Sequence, residues 1–165
     1  MTLVKSSPMR EVAPVRKILV ALDAGPGDIF LLADSRRLAS MFQAELLLFH
    51  VADGWSARLQ QTLKLEDSEE MHGDRAYLEN CEQGLRQEGV MTSIHLAQGD
   101  PAAEIVRAAE EFHCDLIALA SHHHRFLADV FLGSTIDSVR HRTRRPLWIT
   151  SPPPESASMP STTTK

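Results

Sequence analysis

Five short apolar runs, RKILVAL (16–22), ELLLFHV (45–51), TSIHLA (92–97), DLIALA (115–120) and PLWITS (146–151), are separated by longer segments with helical periodicity. Runs dense enough to be buried on both faces suit strands of a parallel sheet, and parallel neighbours need a crossover long enough to hold a helix. Ile29, Leu32, Ala33, Leu38, Ala39 and Phe42 predict the first helix over about 28–42, with Asp28 placed to cap it or to complement its positive end. The polar segment from Leu65 to Glu88, stopping at Gly89, reads as a second helix with a frayed start. GDPAAEIVRAAEEFH supplies Asp100 as N-cap and Pro101 at the first helical position of a third, and GSTIDSVRHR (133–142) a fourth. Five strands alternating with four helices predict a doubly wound α/β domain with helices on both faces of a parallel sheet. Ligands of such sheets bind beyond the carboxyl ends of the strands where strand order reverses, which directs attention to the loops after Leu22, Val51 and Ala120.

A chain of 165 residues with 43% hydrophobic content buries one sizeable core, so a single domain is expected over 15–151. Residues 1–14 read as a flexible N-terminal segment, and PPPESASMPSTTTK (152–165) as a disordered tail too poor in apolar groups to fold. A formal charge of −5 argues against non-specific nucleic-acid binding, which needs a basic face to replace counterions. Cys81 and Cys114 lack CxxC spacing and read as reduced thiols. With no signal-like apolar stretch near the amino terminus and no run of spanning length, a cytoplasmic protein without membrane attachment is expected.

KILVALD, ELLLFHV, GDPAAEI, DLIALAS and LGSTIDSVRHRTRRPLWI, met in this order, resemble the universal stress protein family over roughly 15–151. The resemblance implies a five-stranded parallel sheet in the order 3-2-1-4-5, a homodimer, and adenine-nucleotide binding in some members. Their loop runs Gly, two residues, Gly, nine residues, Gly, then Ser or Thr. Laid on this chain, it puts Ala120 and His123 at the first two glycines and Gly133 and Ser134 at the last two positions, followed by Thr135. A helix amino terminus at Gly133–Thr135 keeps N–H groups for a phosphate, whereas Ala120 and His123 forfeit the close backbone approach that glycine allows. Asp23 stands where relatives place an aspartate against the nucleoside, and Val51 where relatives contact the base by backbone. Asp23 reads equally as a carboxylate tying down the AGPG turn, and Val51 as core.

The His122–His123–His124 run offers at most two side chains to a common ion, so no metal site is expected; it reads as an imidazole-rich loop near the crevice. RHRTRR (140–145) reads as cations at a helix carboxyl end. Leu147, Trp148, Ile149 and Thr150 form a terminal strand that, by the resemblance, pairs with its copy in a second subunit; the other reading of Trp148 is burial beneath the final helix. The expected function is a dimeric regulatory or interaction module in stress response, without catalytic activity or an obligatory cofactor. Nucleotide binding is weak or lost, and a regulatory protein is its further partner. The alternative is a regulator that binds ATP or another adenine nucleotide through the residual loop.

Overall fold

The computed structural model describes residues 13–52, 69–121 and 134–151. Its elements follow the expected alternation: β1 (Lys17–Leu22), α1 (Asp28–Phe42), β2 (Glu45–Ala52), α2 (Glu69–Gln87), β3 (Thr92–Gln98), α3 (Pro101–Glu111), β4 (Leu116–Ala120), α4 (Ser134–Arg142) and β5 (Leu147–Thr150). All neighbouring strands are parallel, in the order β3-β2-β1-β4-β5. The expected fold class and strand order are both present.

Alternation along the strands divides the core into two layers. Leu19, Leu47, Phe49 and Ile117 meet Ile105 and Ala109 of α3 and Val139 of α4 on one face. Ile18, Val20, Leu46 and Leu48 meet Leu31 and Leu38 of α1 and Leu78 and Leu85 of α2 on the other. Full burial of each such side chain contributes about 1.5–3 kcal/mol, so these two layers dominate cohesion.

Local chemistry ends the helices where the sequence indicates. Asp100 caps α3 by accepting from the Ala103 N–H at 2.9 Å, and Pro101 occupies the first turn. Gly89, at φ +82°, follows α2 while the Val90 N–H returns to the Leu85 carbonyl. At the start of the sheet, the Asp115 carboxylate accepts from the N–H groups of Arg16 and Lys17 at 2.8 and 3.0 Å, locking β4 beside β1.

Two local expectations need correction. Asp28 does not cap α1 but is the acidic residue of its first turn; Gly27 is the N-cap and has no side chain to bond, and the Asp28 carboxylate turns back onto the preceding loop. Trp148 does not lie beneath α4. It is in register with Ala118, whose side chain belongs to the α1–α2 layer, and it remains 42% exposed.

Candidate functional site

Strand order reverses between β1 and β4, which are neighbours in the sheet with Ala21 opposite Leu119. From β1 the chain passes to α1 on one face; the helix after β4 packs on the other. A crevice therefore opens beyond Leu22–Asp23 and Ala120–Ser121, where the two paths diverge.

The β1 exit is a tight turn held by two carboxylates. Asp23 Oδ1 accepts from the Gly25 N–H at 2.9 Å, and a Cβ on Gly25 would lie 2.8 Å from that oxygen, so a larger residue there would displace the Asp23 carboxylate. Asp28 Oδ2 accepts from the N–H groups of Asp23 and Ala24 at 3.2 and 2.9 Å. Ala24 sits at φ +58°, a left-handed conformation that costs a non-glycine residue about 1 kcal/mol and persists only where its surroundings enforce it.

The enforcing groups come from α2 and β2. Tyr77 on α2 donates its hydroxyl to Asp28 Oδ2 at 2.8 Å. One turn earlier, Asp74 lies 3.5 Å from His50 Nε2, and His50 Nδ1 lies 2.8 Å from the Leu22 carbonyl. With Nδ1 carrying a proton, His50 donates to that carbonyl, so Tyr77 through Asp28 and His50 beside Asp74 both bear on residues 22–24. Burial pushes the Asp28 carboxyl up to about 6, with the Tyr77 hydrogen bond opposing the shift and nearby Asp23 adding to it. Burial likewise raises the phenol of Tyr77.

At the β4 exit, the Ser121 N–H donates to the Thr150 carbonyl at 2.8 Å and its hydroxyl lies 2.9 Å from that of Ser151. The Thr150 hydroxyl donates to Asp34 of α1 at 2.9 Å. These bonds close the sheet end beside the crevice. Burial pushes the Cys114 thiol up to about 11 and raises that of Cys81, so neither is prepared as a thiolate nucleophile. No group of three or more His, Cys, Asp or Glu side chains that could hold a metal occurs among the described residues.

The universal stress protein family model matches residues 14–151. The chain belongs to the universal stress protein family. A search of curated proteins gives no significant match. Among solved structures, the chain is similar to hypothetical protein MJ0577, with 23% identity and a TM-score of 0.73 over 86% of this chain and 99% of that one. It is similar to a universal stress protein in complex with cAMP, with 16% identity and a TM-score of 0.63 over 84% and 98% of the two chains. A third similar structure is the universal stress protein from Archaeoglobus fulgidus in complex with dAMP, with 18% identity and a TM-score of 0.61 over 83% and 98%. At these identities the structural likeness shows a shared fold.

Within the family fold, the structure brings Asp23 and Ala120 to the two sides of the switch point. Asp23 is exposed and ties the turn through Gly25, as its bland reading required, while remaining at the crevice mouth. Ala120 is half-buried and packs toward the α1–α2 layer. The Val51 side chain is core, packed with Phe49 and Ala97. Thr135 is half-buried on the first turn of α4, which begins at Ser134. His122, His123, His124 and Gly133 lie outside the described residues. The basic run at the end of α4 is engaged internally: Arg140 pairs with Asp137 at 3.4 Å, Arg142 with Asp100 at 3.2 Å, and Arg145 donates to the Cys114 carbonyl.

Sequence reasoning missed Asp28, Tyr77, His50 and Asp74 as a connected set. Asp23 and Asp28 bracket the AGPG turn visibly enough, but the chain's one tyrosine read only as an apolar position of a polar helix.

Proposed function

We propose that this protein is a non-catalytic, homodimeric binding module of the cytoplasmic stress response, with a crevice that takes adenine nucleotides through their nucleoside part and holds a triphosphate poorly. The observation that carries this reading is the pairing of an intact β1 exit with an altered β4 exit. Asp23 stands exposed at the crevice mouth on a braced turn, opposite an alanine where the family's nucleotide loop begins with glycine. Alanine restricts the backbone freedom with which glycine lets this loop approach a triphosphate chain. The complexes of similar folds with cAMP and dAMP, both monophosphates, support an adenine ligand without a long phosphate chain.

Calorimetric titration of ATP and cAMP into the unaltered protein and an Ala120→Gly/His123→Gly variant tests this reading. ATP is expected to bind the unaltered chain with a Kd of about 100 μM or weaker and the variant at least about tenfold more tightly, a gain of ~1.4 kcal/mol. Submicromolar ATP binding by the unaltered protein would contradict the proposed loss.

A further inference from the structure

Asp28 does more than begin a helix. Its Oδ2 gathers three donors from two separate elements: the N–H groups of Asp23 and Ala24 at 3.2 and 2.9 Å, and the Tyr77 hydroxyl of α2 at 2.8 Å. The carboxylate is 2% exposed, and the backbone it grips is the strained, positive-φ segment that presents Asp23. Remove its negative charge and three donors compete for a weaker acceptor, while Ala24 loses a contact that holds it in the left-handed region.

We infer that Asp28, seated by Tyr77, is the positioning residue that sets how Asp23 meets a ligand in the crevice, and that α2 is thereby tied to ligand affinity. This inference rests on the adenine-nucleotide reading of the crevice. The groups facing Asp28 are Asp23 from the turn and Tyr77 and Cys81 from α2; His50 of β2 and Asp74 of α2 form the neighbouring relay. Burial holds the Asp28 carboxyl near 6, so the brace is ionised at pH 7 and mostly protonated at pH 5. A protonated carboxyl brings its own donor into a space already filled with donors.

The test follows the backbone amides of Asp23 and Ala24 by NMR between pH 5 and 7 in the free protein, and cAMP affinity by calorimetry over the same range. Cyclic AMP is the suitable probe because its phosphodiester does not titrate there, unlike a phosphate monoester with its second pKa near ~6. In the unaltered protein both amides are expected to shift with a midpoint near 6, and cAMP affinity to fall by up to about tenfold from pH 7 to pH 5. Asp28→Asn should abolish the midpoint and leave weak, pH-independent binding, which also separates Asp28 from any titration of His50. Tyr77→Phe, which removes a bond favouring the ionised form, should move the midpoint upward and raise the pH at which affinity falls.

Amides that do not titrate, or a midpoint unmoved in Tyr77→Phe, overturn the brace. Titrating amides with cAMP affinity equal at both pH values overturn the positioning role. Failure of cAMP to bind at any pH, with the amide titration intact, overturns the nucleotide reading on which the inference rests and is recognised by that combination.

Discussion

At the scale of single residues, Asp28 works against the ordinary preference of a carboxylate for water. Its ionised form is disfavoured by burial and partly restored by the Tyr77 hydroxyl, leaving its carboxyl near 6 against an ordinary 3.8. A raised carboxyl pKa means that the folded state binds the proton more tightly than the unfolded chain. This group's stabilising contribution is therefore full below the ordinary carboxylate range and lost as pH rises through about 6. Compared with Asp28→Asn, the unaltered protein should lose roughly 1–2 kcal/mol of stability between pH 4 and pH 7, after allowance for screening by water. Urea unfolding of both proteins at the two pH values measures the difference; parallel pH dependence would contradict it. Little of this was legible in the sequence. A short-range rule assigns an acidic residue at a helix start to the helix dipole, whereas the fold brings Tyr77 from 49 residues away to its carboxylate.

At the scale of elements, the sequence was far more informative, because strands buried on both faces and helices between them leave strong periodic signals. Asp100 with Pro101, and Gly89 after α2, marked helix ends from local chemistry alone. The side on which Trp148 lies was not legible, since it depends on register against β4, with Trp148 opposite Ala118. β5 also carries a testable claim about assembly. The carbonyls of Pro146 and Thr150 accept from β4, so alternation turns the Leu147 and Ile149 N–H groups toward the open edge. Trp148 and Ile149 are 42% and 43% exposed beside that edge. Antiparallel pairing with a second copy would occupy the open ladder and cover both side chains. Ile149→Pro removes an outward donor while sparing the inward bonds to β4. Sedimentation equilibrium at tens of micromolar should give a dimer for the unaltered chain and a monomer for a variant whose circular dichroism shows it folded. A monomeric unaltered protein, or a folded proline variant that stays dimeric, would exclude this edge as the interface.

At the scale of the whole molecule, the two core layers fix the sheet, and the sheet fixes where its chain paths diverge. The switch point between β1 and β4 sets the Leu22–Asp23 and Ala120–Ser121 exits side by side without any local motif requiring it. On the proposed reading, the altered glycine positions leave the adenosine part, rather than the phosphate chain, to carry affinity. The most direct test of that account is an amide-resolved NMR titration of the unaltered protein with cAMP at pH 7. The predicted result is saturable shifts concentrated at Asp23, Ala24, Ala120, Ser121 and Thr135, with the opposite end of the sheet, around Glu45 and Thr92, unmoved. Shifts centred away from the β1 and β4 exits, or none at millimolar cAMP, would contradict it.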